Sequence, residues 1–208
     1  MRIAVVVFDG FDELDAIGPL EVLRNAAAMG ADDLSVELVA LDGAAEVTGS
    51  HGLVVRPDGR LDPDGTDLLV IPGGGWNDRG AQGAWAESER GELPAAIAAA
   101  ARGGAVVATV CTGAMLAATA GLTRGRPAIT HHDAVEDLRA SGARVVEARV
   151  VDDGDLVTAG GVTSGIDMAL WLVERHFGAG LADAVAAEIE HQRSGDVWRA
   201  TPGRTPGR

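Results

Sequence analysis

Residues 104–118 read Gly104-Ala105-Val106-Val107-Ala108-Thr109-Val110-Cys111-Thr112-Gly113-Ala114-Met115-Leu116-Ala117-Ala118. The run up to Val110 is apolar and rich in β-branched residues, the pattern of a strand buried on both faces. The stretch after Thr112 is rich in alanine and leucine, the pattern of a helix. Cys111, the one cysteine among 208 residues, falls on the bend between them. A thiol placed there lies beside backbone N–H groups and the positive end of the helix dipole, which favour a thiolate. A thiolate at neutral pH is a nucleophile. The alternative is a buried structural cysteine that packs as a small hydrophobe.

Working outward, strand-like and helix-like runs alternate. Strands are expected at 3–8, 35–41, 67–71, 105–110 and 128–130, with a strand pair at 145–151 and 156–159 and a short hairpin at 47–55. Helices are expected at 19–29, 84–102, 112–120, 133–141, 164–177 and 181–192. Buried β-branched strands separated by helices predict a parallel sheet covered on both faces, in one domain spanning 1–198. Residues 199–208, with a repeated Thr-Pro-Gly-Arg, offer nothing apolar beyond Ala200 and are expected to be a disordered tail.

In such a fold the site lies at the carboxyl ends of the strands. Three loops meet that condition. The first follows Phe8 and contains Asp15 between Leu14 and Ala16-Ile17. An acid among apolar neighbours keeps its proton and is suited to proton transfer; the alternative for Asp15 is a helix cap. The second is Pro72-Gly73-Gly74-Gly75, where bare backbone can approach a ligand and aim N–H groups at developing negative charge; a plain turn is the alternative. The third is Cys111-Thr112-Gly113, where Thr112 offers both an N–H and a hydroxyl, or is no more than the first turn of a helix. His131 follows a short strand and is a candidate to approach Cys111.

Composition narrows the function classes. With 17 basic and 31 acidic residues the net charge is −14, which disfavours nucleic acid and anionic membranes as partners. All the basic residues are arginine, so lysine Schiff-base chemistry is excluded, and tyrosine is absent. The spacing of the five histidines gives no metal-ligand signature, and no metal or cofactor is expected. A single cysteine suits a reducing compartment, and with no secretory or membrane-spanning pattern a cytoplasmic protein is expected.

Five ordered segments resemble the ThiJ/PfpI superfamily, relatives of class I glutamine amidotransferase domains. They are Leu14-Asp15-Ala16-Ile17-Gly18-Pro19, Ile71-Pro72-Gly73-Gly74, Val110-Cys111-Thr112-Gly113, Thr130-His131 and Thr158-Ala159-Gly160-Gly161-Val162-Thr163-Ser164-Gly165-Ile166-Asp167. The resemblance implies a flavodoxin-like, mostly parallel sheet sandwiched between helices, with a cysteine nucleophile elbow. Within the superfamily the likeness is to isocyanide hydratases, which have Asp rather than Glu in the first loop and Cys-Thr-Gly at the elbow. It implies a cofactor-independent lyase acting on a small molecule, with Cys111 as nucleophile, Asp15 as proton donor and Thr112 orienting water. Gly73, Gly74, Gly75 and His131 are implied to contact substrate. A homodimer is likewise implied. Two other readings fit the resemblance: a glyoxalase or deglycase acting on small carbonyls, and a redox or ligand sensor. Thr112 stands where protease-like members have His, which disfavours proteolysis.

Overall fold

The structure, a computed structural model, describes residues 1–31 and 33–200. In the first half the strands are β1 (Arg2–Val7), β2 (Ser35–Ala40), β3 (Val47–Thr48), β4 (Val54–Val55), β5 (Gly59–Arg60), β6 (Leu68–Ile71) and β7 (Val106–Val110). The helices among them are α1 (Glu13–Ala28), α2 (Ala84–Arg90) and α3 (Glu92–Arg102). The second half adds α4 (Gly113–Thr119), β8 (Pro127–Ala128), α5 (Val135–Ala140), β9 (Arg144–Val145), β10 (Val150–Asp152) and β11 (Leu156–Ala159). It closes with α6 (Ser164–Phe177), α7 (Ala179–Glu188) and β12 (Val197–Arg199).

Eight strands form the central sheet in the order β12-β10-β11-β7-β6-β1-β2-β5. Every neighbouring pair is parallel except β10–β11. β1, β6 and β7 are almost wholly buried, as expected of strands covered on both faces. One set of helices, α1, α6 and α7, packs together; α2, α3 and α4 form the other, so the sheet is sandwiched. β1 has β2 on one side and β6 on the other. The chain therefore reverses its direction of winding at β1, and a crevice opens at the carboxyl ends of β1 and β6. No helix among the described residues is long and apolar enough to cross a membrane.

Several boundaries differ from expectation for identifiable reasons. α1 begins at Glu13, not Pro19, because Asp12 caps it by accepting the Leu14 N–H (3.2 Å). Pro19 thus sits inside the helix, where its missing N–H withholds the usual donor from the Asp15 carbonyl. The expected 84–102 helix is two helices broken at Gly91, whose φ of +78° ends α2 and starts α3. The 145–151 strand is two pieces: β9 pairs with β8 in a separate small sheet, while β10 belongs to the main one. The strand expected at 128–130 is Pro127–Ala128, and the last helix ends at Glu188 rather than at 192. Sequence periodicity gives no sign of β12, which pairs with β10 and contains Arg199. Arg199 is therefore part of the sheet and not of a tail; residues 201–208 lie outside the described residues.

Candidate active site

The bend after β7 places Cys111 at φ +55°, a conformation that costs a non-glycine residue on the order of 1–3 kcal/mol. Three bonds hold it there. The Cys111 N–H donates to the Ala159 (3.1 Å) and Gly160 (2.8 Å) carbonyls at the end of β11. The Cys111 carbonyl accepts from the buried Thr130 hydroxyl (2.9 Å). Sequence reasoning gave Thr130 no role, although it stands beside His131.

The glycine loop meets the elbow backbone to backbone. A Cβ on Gly113 would lie 2.3 Å from the Ile71 carbonyl oxygen, and one on Gly73 would lie 2.4 Å from Thr112 Oγ1. Gly74, at φ +115°, would drive a Cβ to 2.5 Å from the Asp12 nitrogen. The glycines are thus needed for close packing of three loops. Their N–H groups are already engaged: Gly73 donates to Asp15 Oδ2 (2.9 Å) and Gly74 to Thr112 Oγ1 (3.0 Å). The expectation that the Gly74 N–H is free to stabilise a substrate charge is therefore corrected. Gly75 instead lines a cavity of about 590 Å³ together with Asp9, Ser50, Gln82 and Arg90. Cys111 lines neither that cavity nor the neighbouring one of about 260 Å³ bounded by Val7, Asp42, Glu46 and Glu87.

Asp15 is the third residue of α1 and is completely buried. It is not the helix cap; Asp12 is. Its Oδ2 takes the Gly73 N–H, while Oδ1 has no hydrogen-bond partner of good geometry. Burial pushes its carboxyl up to about 8, with the Asp12 charge adding to the rise. The Gly73 N–H and the Cys111 thiol work the other way and only moderate it. Thiol and carboxyl are thus close enough to affect each other's proton, yet their contact is too loose to count as a formed hydrogen bond.

The thiol behaves otherwise than the elbow's dipole suggests. Cys111 is 6% exposed, and burial followed by the Asp15 charge pushes it up to about 12. The N–H groups of Thr112 and Val162 favour the thiolate but do not outweigh desolvation. α4 is only seven residues long, and no positively charged group enters the balance at the sulfur. At neutral pH the resting pair is thiol and carboxylic acid, and the carboxyl ionises first. Val162 is a donor that sequence reasoning missed. Its one signal was the Gly160-Gly161 pair after β11, which leaves a side-chain-free approach to the elbow.

His131 does not join the pair. Its ring packs against Gly161, where a Cβ would lie 3.0 Å from Cδ2, and Nδ1 accepts the Asp133 N–H (3.3 Å). Burial, with help from His132, lowers its pKa and keeps it neutral. Ligand-type atoms of His131, His132 and Asp133 lie within 4.8 Å of one another, a grouping that spacing rules overlook because the residues are consecutive. Both His132 and Asp133 are exposed.

This geometry is a buried acid and a buried cysteine on a strained strand-to-helix elbow, at the switch point of a parallel sheet. The DJ-1/PfpI family model matches residues 1–175. The chain belongs to the DJ-1/PfpI family. It is 32% identical to an isonitrile hydratase of Pseudomonas putida over 99% of this chain and 85% of that protein. It is 29% identical to a deglycase of Thermococcus kodakarensis over 76% of this chain and 89% of that protein. Among solved structures, a ThiJ/PfpI family protein from Pseudomonas syringae superposes with a TM-score of 0.81 at 27% identity, covering 93% of this chain and 76% of the other.

Proposed function

We propose that this DJ-1/PfpI protein is a hydratase that converts isocyanides to N-substituted formamides through Cys111. The observation that carries the reading is the buried Asp15–Cys111 pair, with a carboxyl whose pKa of about 8 lets it both give and take a proton near neutrality. The similarity to an isonitrile hydratase over nearly the whole chain supports it.

The chemistry is an addition of water in two stages. The Cys111 sulfur attacks the terminal isocyanide carbon and a C–S bond forms. Asp15, protonated at rest, gives its proton to that carbon and takes the thiol proton in the same step, giving a thioimidate with a C=N bond. A water then adds to the same carbon; one of its protons reaches the nitrogen by way of Asp15. The C–S bond breaks, the remaining proton returns to sulfur, and the formamide leaves. One water is consumed and no oxidant or reductant is required. The Thr112 hydroxyl accepts the Gly74 N–H and can direct its own proton toward the incoming water. The N–H groups of Thr112 and Val162 support negative charge on sulfur as it leaves. The thiol's high pKa makes the Asp15 proton relay more important than a standing thiolate would.

We also propose a homodimer. The supporting feature is apolar surface on and beside α1: Leu14 and, in the adjoining 47–55 segment, Leu53 and Val54 are exposed, and Leu14 and Ile17 of α1 line a shallow groove with Ile166 of α6.

The test assays the purified protein and Cys111→Ala against an aryl isocyanide and methylglyoxal side by side. The expected result is isocyanide turnover that falls roughly 10⁴-fold or more in Cys111→Ala, with the covalent adduct on the wild-type chain visible by mass. Turnover of methylglyoxal alone, or peroxide oxidation of Cys111 with no turnover of either, would overturn the proposal.

A further inference from the structure

Asp167 ends the last of the five sequence segments, and the chemistry above gives it nothing to do. It is buried and accepts three bonds: from Arg149 Nε at Oδ2 (2.5 Å), and from His191 Nε2 and the Ser194 N–H at Oδ1 (both 3.0 Å). Arg149 is then fixed in place. Its carbonyl accepts the Gly160 N–H (3.0 Å), and its Nη2 donates to Thr163 Oγ1 (3.0 Å). One residue thus grips both ends of the four-residue loop from Gly160 to Thr163.

Inside that loop lies Val162, a β-branched residue at φ +20°. Such a backbone persists only where its surroundings over-determine it. The Val162 N–H is among the backbone groups that favour the Cys111 thiolate, and the carbonyl of Gly160 takes the N–H of Cys111 (2.8 Å). The loop therefore meets the elbow backbone to backbone at Gly160, with Val162 two residues on, and both lie between the Arg149 grips.

We propose that Arg149, locked by Asp167, is a positioning residue that holds the 160–163 loop in the strained form aiming the Val162 N–H at the Cys111 sulfur. The partners of Arg149 are Asp167, Thr163 and Gly160 and not the sulfur, so it acts through the loop, and on any reaction that passes through the thiol. Arginine suits the task because its planar fork reaches Asp167 and Thr163 together, which a single ammonium cannot. The groups that set the thiolate's stability are few: Asp15 and Asp12 oppose it, and the N–H groups of Thr112 and Val162 support it. Releasing the loop removes one of those two donors.

The test uses alkylation of Cys111 by iodoacetamide as a function of pH in the full chain, which requires no isocyanide turnover. Thr163→Val removes the hydroxyl and keeps the branched shape. Its alkylation at a fixed alkaline pH is expected to slow about tenfold, the pH profile moving upward, since a hydrogen bond to a charged group is lost. Thr163→Ser keeps the hydroxyl and is expected to match the wild type. Arg149→Lys retains charge beside Asp167 but is expected to be as slow as Thr163→Val. A folded Thr163→Val with an unchanged Tm and an unchanged alkylation profile would overturn the proposal, as would equal slowing in Thr163→Ser. Should Arg149→Lys fail to fold, the threonine pair decides by itself. A wild type inert toward isocyanides, with the threonine variants behaving as expected, would reject the hydratase reading and leave this one standing.

Discussion

Asp15 and Asp167 are both buried, at 0% and 5% exposure, yet the protein gives them opposite protonation. Asp15 meets one backbone N–H and a loose thiol, and burial leaves it protonated up to about pH 8. Burial also works to raise Asp167, but the bonds from His191, Arg149 and the Ser194 N–H outweigh it and hold the carboxyl below its usual range. Burial is therefore not what separates a reactive carboxyl from a structural one. The difference lies in what the fold supplies against desolvation: a cation and two further donors in one case, almost nothing in the other. A carboxyl left under-satisfied costs stability and gains a proton it can transfer.

The contrast breaks most visibly in activity. Asp15→Asn is expected to lower isocyanide turnover by about 10²–10⁴-fold while the protein stays folded. Asp167→Asn is expected to do the reverse: turnover per folded molecule changes far less, while unfolding in urea at neutral pH shows a loss of about 2–3 kcal/mol as Arg149 loses its counter-charge. A pair of variants with these effects exchanged would erase the distinction.

Stability against pH sharpens it next. The folded pKa of Asp15 lies above its ordinary value of 3.8. Its contribution is thus fully present below about pH 4 and is lost as the pH rises toward 8, because the unfolded chain gives up the proton first. Between those limits the wild type is expected to lose on the order of a few kcal/mol relative to Asp15→Asn. For Asp167 the sign is opposite: its contribution is present above the ordinary value and is lost as acid protonates the native carboxyl. Urea midpoints across pH 4–8 for the wild type and Asp15→Asn measure the first slope, and midpoints below pH 4 for the wild type and Asp167→Asn measure the second.

The smallest effect concerns Asp12, whose charge raises Asp15 further. Asp12→Asn keeps an equally good helix cap, so stability is expected to change by less than about 0.5 kcal/mol. The alkaline limb of the pH–rate profile, where Asp15 gives up its proton, is expected to move to lower pH by roughly half a unit.

Much of this was legible in the linear order. The β-branched runs at β1, β6 and β7 stated a buried parallel sheet, because strands covered on both faces cannot alternate apolar and polar residues. The glycines at 73, 74 and 113 and the cysteine between strand and helix marked where backbones must meet. Two things were misread for local reasons. Pro19 looked like a helix start, though the capping side chain lay at Asp12. The thiol looked activated because a dipole is read from sequence and a desolvation penalty is not.

By itself, then, the sequence determined the alternation of elements, the winding that brings three loops to one end of the sheet, and the residue types gathered there, since all of these follow from periodicity and backbone constraints. Only the tertiary structure decided which N–H groups are spent on the protein's own oxygens, which aspartate goes without a cation, and that Val162 and Arg149 belong to the elbow at all. Those outcomes depend on distances between segments far apart in the chain and on how much water remains between them, and no local pattern encodes either.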